Sequence, residues 1–347
     1  MLLPLPPTLI ERQCTVVTRL PKQQDLIMRK STLSHLLIVL MGLSLLTLGA
    51  CREKEPDIPV PGSIISPDII IENGVLKKWP NYDVPVSGII TIPESVVAID
   101  NGVFANYKDL KKVNFPSGLK TIGANAFKGC TALASAALPE TLQSIGEQAF
   151  YDCTKLKTLT VGTQLTAVGN STFENCSTLQ QVEFPAGTTT FGKRMFAGCK
   201  SLKKIVLPDL LTTLPQSTFF NCYQLTEVTL PSKLVHIEGV AFWQCQSLKQ
   251  ITLPSQLQHI GSGVFAGCSS LLSLSLPASV QKMGESIFNG CDHLESVTCL
   301  SPNPPSFTQD TADPLKYYRQ LTVPAGSKAR YAAATGWNRC NPIVEAQ

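Results

Sequence analysis

Leu110-Lys111-Lys112-Val113-Asn114-Phe115-Pro116-Ser117-Gly118-Leu119-Lys120-Thr121-Ile122-Gly123-Ala124-Asn125-Ala126-Phe127-Lys128-Gly129-Cys130-Thr131-Ala132-Leu133 is one full unit of a pattern, and its last residue opens the next unit. Val113 and Phe115 alternate about Asn114, which is the periodicity of a strand with one face inward. Pro116 ends that strand, because it has no amide hydrogen to give to a ladder. Leu119 and Ile122 form a second inward pair, and Gly123 is expected to permit the turn that follows. Ala126, Phe127 and Cys130 are expected on one face of a short helical turn, where residues three and four apart are neighbours.

The unit recurs with a step of 23 residues and no insertion. Phe104, Phe127, Phe150, Phe173, Phe196, Phe219, Phe242, Phe265 and Phe288 form one column. Cys130, Cys153, Cys176, Cys199, Cys222, Cys245, Cys268 and Cys291 form a second, with Tyr107 in its first place, and Leu110 through Leu294 form a third. A fixed period in this range means a solenoid, in which each coil buries its apolar side only by stacking on its neighbours. The expectation is an α/β-type repeat of nine coils with parallel strands and short helical turns, the strands about 4.8 Å apart.

This pattern, Leu-x-x-Val-x-Phe-Pro-x-x-Leu-x-x-Ile-Gly-x-x-Ala-Phe-x-x-Cys, resembles the BspA-like class of leucine-rich repeats and covers residues 93–299. It lacks the Asn position of the general repeat, and Pro with the Phe/Cys pair takes over. Both flanks are similar to that family. Ile71-Glu72-Asn73-Gly74-Val75-Leu76, within an N-terminal cap at 61–92, looks like its opening segment. Pro304-Pro305 and Leu321 to Ser327, with Tyr331 and Trp337, look like a C-terminal cap at 300–347. Caps are needed because a bare terminal coil leaves strand edge and core exposed.

The chain reads as exported. Met28-Arg29-Lys30 precedes an apolar run from Leu36 to Leu48, too short to span a bilayer, which takes about 20 residues. Leu48-Gly49-Ala50-Cys51 resembles the bacterial lipobox, so residues 28–50 are expected to be a lipoprotein signal peptide and Cys51 the lipid-attachment site. Residues 51–60 would be a tether. Arg52-Glu53-Lys54-Glu55-Pro56-Asp57 resembles the surface-export signal of Bacteroidetes lipoproteins, which implies the outer membrane or cell surface. Residues 1–27 do not fit a signal and read as a mis-called upstream start.

Charge narrows the partners. The formal net charge is +4, of which residues 1–50 carry +3, so no dense basic face for phosphates is available and nucleic acid is not an expected partner. Three readings compete for the cysteine column. One thiol per coil without a His column beside it is poor metal-site spacing. Disulfides between coils fall within bridging range, although parallel side chains suit them badly. The third reading is a small apolar filler beside Phe. A Cys299–Cys340 bridge is a further option. His236 and His259 should stack one coil apart, with no carboxylate in their column. No nucleophile set or phosphate-binding glycine loop stands out, so no cofactor and no enzymatic activity are expected.

The outward columns locate a candidate ligand surface. The first-strand face is small and hydroxylic with no aromatic platform, which is poor for sugars and open to an extended protein partner. The position after each Phe runs Ala105, Lys128, Tyr151, Glu174, Ala197, Phe220, Trp243, Ala266, Asn289. Phe220 and Trp243, with Tyr223 close by, are the candidate ligand-binding residues, as clustered exposed aromatics make hot spots. The resemblance implies a surface adhesin for host or matrix proteins, and the chain is expected to be monomeric. A glycan-binding accessory lipoprotein of a polysaccharide-uptake system is the alternative.

Overall fold

The computed structural model describes residues 66–308 and 320–347, which belong to one compact unit. The export signal, Cys51 and the tether lie outside the described residues. Parallel strands line two sides of the repeat, as two ladders that are interrupted along the array. In the first, Ile89–Thr91, Lys112–Asn114, Ser135–Ala137 and Thr158–Thr160 pair in sequence with each residue opposite its equivalent 23 positions on. In the second, Ala98–Ile99, Thr121–Ile122, Ser144–Ile145 and Ala167–Val168 do the same.

The third side of each coil holds the Phe and Cys columns, and it is not helical. It is a run of tight turns, as in Ala105 N–H to the Gly102 carbonyl (3.0 Å) and Tyr107 N–H to the Phe104 carbonyl (3.2 Å). The residues two before and two after each Phe explain why. Asn125 (φ 57°) and Gly129 (φ 73°) flank Phe127 in the left-handed region, and their equivalents do the same in the other coils. A left-handed residue every four positions stops a right-handed helix from propagating. The amide between them turns outward to the next coil instead: Phe127 N–H donates to the Ala149 carbonyl at 2.7 Å, and Phe150 N–H to Thr172 at 2.9 Å.

The coil count also differs from the nine expected. Both ladders continue into the caps, giving about eleven coils. Ile70–Glu72 and Val75–Lys78 form an antiparallel hairpin whose turn, Asn73-Gly74, has both residues at positive φ, as a two-residue hairpin prefers. Val75–Lys78 then adds a parallel strand in front of Ala98–Ile99. At the other end Ser306–Phe307 extends the second ladder, and Gln320–Val323 and Ile343–Glu345 extend the first. A six-residue helix, Lys328–Ala333, brings the buried Tyr331 onto the last coil, where its hydroxyl donates to the Ser301 carbonyl at 2.8 Å. Trp337 Nε1 donates to the Pro305 carbonyl at 2.7 Å.

The core is one continuous stack. All nine Phe rings are fully buried, and successive rings lie nearly parallel, from 5.0 Å between Phe104 and Phe127 to 6.3 Å between Phe265 and Phe288. Leu119 and Ile122, and their equivalents, fill the space beside them, while Phe115 is half-buried and meets Phe127 edge-on at 5.7 Å. Gly123 and its equivalents serve close approach rather than the turn. A Cβ on Gly146 would lie 2.5 Å from the Ala124 amide nitrogen of the preceding coil.

The cysteine column has a hydrogen-bonding role beyond filling space. Each thiol donates to the carbonyl of the Phe on the preceding coil, from Cys130 to Phe104 (3.1 Å) through Cys222 to Phe196 (3.1 Å) to Cys291 to Phe265 (3.1 Å). The same carbonyl also closes its own turn, so both of its lone pairs are used: Phe196 O accepts the Cys199 amide at 3.0 Å. Tyr107 performs the equivalent task in the first coil, its hydroxyl donating to the Trp79 carbonyl. All eight thiols are buried and free, and burial pushes their pKa up, to about 12 for Cys130 and Cys291. Cys299 is likewise a free thiol, with the Tyr331 hydroxyl 2.9 Å from its sulfur.

Candidate functional site

Because each coil repeats at fixed register, surface neighbours are residues 23 apart, and the turn face can be read as rows. Phe220 and Trp243 occupy the same slot on adjacent coils. Their rings stack at 4.5 Å with an angle of 11° between planes, and both residues are half-buried rather than fully exposed. The far face of Phe220 is covered by the Arg194 guanidinium, 5.6 Å from the ring centroid, a cation–π geometry. Arg194 is held in turn by Glu174, with Nη2 2.6 Å from Oε1 and Nε 3.0 Å from Oε2. That fork-on-carboxylate contact raises the arginine pKa and fixes the guanidinium plane. Glu174, Arg194, Phe220 and Trp243 thus form one ordered row across four coils. Tyr223 is half-buried on the Phe220 turn, but among the described residues it has no ring contact with either aromatic.

The row stops at Trp243, because the next coil carries Ala266 in the same slot. Over that coil opens a cleft of about 450 Å³. Its floor is small, Ala266, Gly267 and Ser269. One wall is Trp243 with Gln244 and Gln246, and the other is Asn289 with Asp292. Gln246 Nε2 donates to Gln244 Oε1 at 2.8 Å. The side chains of Ser269, Asn289 and Asp292 have no hydrogen-bond partner among the described residues. The position-by-position sequence reading singled out large side chains and missed this cleft. Its signal was the Ala266-Gly267-x-Ser269 coil between coils that carry Trp243 or Asn289 in the first of those places and Gln246 or Asp292 in the last.

On the first-strand face Ala136 and Ala137 leave a smaller groove of about 320 Å³ between Phe115 and Thr160. His236 and His259 sit on paired strands with ring centroids 6.0 Å apart and tilted. Among the described residues no three His, Cys, Asp or Glu side chains gather as a metal site, and no helix is long and apolar enough to cross a membrane.

No curated protein matches the chain. Among solved structures it is similar to a leucine-rich repeat protein of T. pallidum, with 27% identity, 50% of this chain and 82% of that one covered, and a TM-score of 0.46. It is similar to a leucine-rich repeat protein from Bacteroides ovatus, with 22% identity, 75% and 84% covered, and a TM-score of 0.41. The pneumococcal vaccine antigen PcpA matches at 24% identity, 75% and 79% covered, with a TM-score of 0.46. A family model for the BspA type leucine rich repeat region, in six copies, matches residues 87–203 and 189–304, and no catalytic family is indicated. With more than half of its length matched, the chain belongs to the BspA-type leucine-rich-repeat family.

Proposed function

We propose that the protein is a non-enzymatic adhesion scaffold, a lipoprotein held at the outer membrane or cell surface through Cys51, whose turn face binds a host or matrix protein. The observation that carries this reading is the row from Glu174 to Trp243. Two half-exposed aromatic rings, stacked at 4.5 Å and braced by a bidentate arginine, form a rigid amphipathic anchor. Rigid aromatic and arginine anchors dominate protein interfaces because little conformational freedom is left to lose on binding. The lipid anchor rests on the Leu48 to Cys51 motif.

The test is a pull-down of host extracellular proteins by the full-length chain, followed by the Phe220→Ser, Trp243→Ser double variant. Partner capture should fall by about tenfold or more while the melting temperature stays near that of the parent, since both rings lie outside the Phe core. Unchanged capture with unchanged melting rejects the assignment. Growth with labelled palmitate addresses the anchor separately: a Cys51→Ser chain that still takes up label rules out Cys51 as the attachment site.

A further inference from the structure

We infer that the cleft beyond Trp243 is a binding site for a neutral pyranose sugar, a proposal that does not rest on the protein-partner reading. Three coils build it. The slot of Trp243, the slot after it and the slot three after it read Trp-Gln-Gln on one coil, Ala-Gly-Ser on the next and Asn-Gly-Asp on the third. The middle coil is small at all three places, so the flanking coils become walls of a trough. Its volume of about 450 Å³ lies within the range of small-ligand sites.

The walls suit a sugar in two respects. Trp243 has one face against Phe220, while the other borders the cleft where Ala266 fails to continue the stack. A pyranose presents a face of C–H bonds that packs flat on such a ring, with its hydroxyls directed to the rim. Opposite and around the ring are three amides, a hydroxyl and a carboxylate. The Gln246 to Gln244 bond fixes one amide pair and leaves Gln244 Nε2 free to donate and Gln246 Oε1 free to accept. Ser269 and Asn289 offer donors and acceptors, and Asp292 offers acceptors alone. Sugar hydroxyls are both donor and acceptor, so a mixed rim of this kind satisfies them. The single charge of the cleft is the Asp292 carboxylate, which repels uronates, sialic acids and phosphates. A simple cation would use Trp243 and Asp292 but leave the amide donors unmatched.

Trp243 also supplies the reporter. Of the three tryptophans, Trp79 and Trp337 are buried, at 8% and 0% exposure, so emission changes on ligand addition arise at Trp243. The full-length protein is titrated with methyl β-D-galactopyranoside, methyl β-D-glucopyranoside, methyl α-D-mannopyranoside and N-acetylglucosamine, then with N-acetylneuraminic acid, glucuronic acid and choline. A saturable emission change is expected with at least one neutral sugar and with none of the charged probes. Asp292→Ala should weaken it by about tenfold, the loss of a charge-assisted hydrogen bond. Ala266→Phe, which extends the ring row over Trp243 and removes no polar group, should abolish it. Melting curves show that each variant is folded, and either one suffices if the other fails. Flat titrations with all four neutral sugars, tighter binding of a charged probe, or parental affinity in a folded variant overturns the proposal.

Discussion

Replacing Cys222 separates two accounts of the thiol column. If the residue is only a small apolar filler, Ser is the worst substitute, since it buries a hydroxyl in a packed core. If the thiol is a hydrogen-bond donor, Ser should be better than Ala. The site is well suited to the comparison: Cys222 is fully buried, its sulfur is 3.1 Å from the Phe196 carbonyl, and that carbonyl keeps the Cys199 amide at 3.0 Å whatever happens to the thiol. Truncation to Ala therefore leaves no orphaned backbone group. It removes about one methylene equivalent of burial, about 0.8 kcal/mol. It opens a void of one atom, about 0.5 kcal/mol. It also loses a weak S–H···O contact, about 0.5 kcal/mol. The expected cost is about 2 kcal/mol. Cys222→Ser loses similar volume but returns a hydroxyl donor to the same carbonyl, about 1 kcal/mol net, so its cost should be about 1 kcal/mol. Urea unfolding reads both, provided the m value is unchanged. A Ser variant less stable than the Ala variant refutes the donor role and restores the filler account.

Two further outcomes follow from the same geometry. Burial raises every thiol of the column above its unfolded value near 9.0, to about 12 at Cys130 and Cys291, so the folded chain holds protons that the unfolded chain releases. That contribution is fully present below pH 9 and is lost as pH climbs toward 12; each thiol steepens the loss by at most about 1.4 kcal/mol per pH unit. Stability should be flat from pH 7 to 8 and fall steeply above 9, and a Cys199→Ala, Cys222→Ala chain that falls as steeply as the parent contradicts this. Val240 stands in the left-handed column with φ 52°, where other coils place Asn125, Ser171 and Gly263. A β-branched side chain is strained there, so Val240→Asn should raise stability by about 1 kcal/mol in thermal unfolding, and a lowered melting temperature counts against the strain.

The columns were readable because burial in a solenoid is decided by position within the unit, and Phe, Cys and Leu recur without an insertion. What escaped that reading was of two kinds. Backbone conformation was the first. Asn106, Gln148 and Arg194 share a left-handed φ, yet nothing in their chemistry marks them as equivalent, and only their place two residues from a Phe does. The turn was accordingly expected to be helical. The second was shape made by absence. Phe220 and Trp243 drew attention as large side chains, and the structure stacks them, but the cleft beside them is written in Ala266, Gly267 and Ser269, which look unremarkable one at a time. Buried polar substitutions were similarly hidden. Thr188 replaces a core Leu at no exposure and is tolerated because its hydroxyl donates to the Leu165 carbonyl at 2.8 Å.

In an array where each coil contacts only its neighbours, stability is a sum of interface terms, so one poor interface matters more than in a compact core. The interface between the Phe196 and Phe219 coils is such a place. The glycine column that lets coils approach closely changes to Pro215 and Glu238, and Pro215 has no amide hydrogen to extend the ladder. The second ladder breaks there, between Thr190–Phe191 and Thr213–Leu214, and the first is reduced to a single bridge from Glu183 to Val206. The turn side remains joined, by Arg194 N–H to Gln216, Phe196 N–H to Thr218 and Gly198 N–H to Phe220, and by the rings of Phe196 and Phe219 at 5.7 Å. The Arg194 to Phe220 contact crosses this same seam. A ligand that touches both residues and ignores the unfolded chain adds its binding energy where the array is least joined by strands. A ligand held by both residues would therefore oppose opening of the array at this seam.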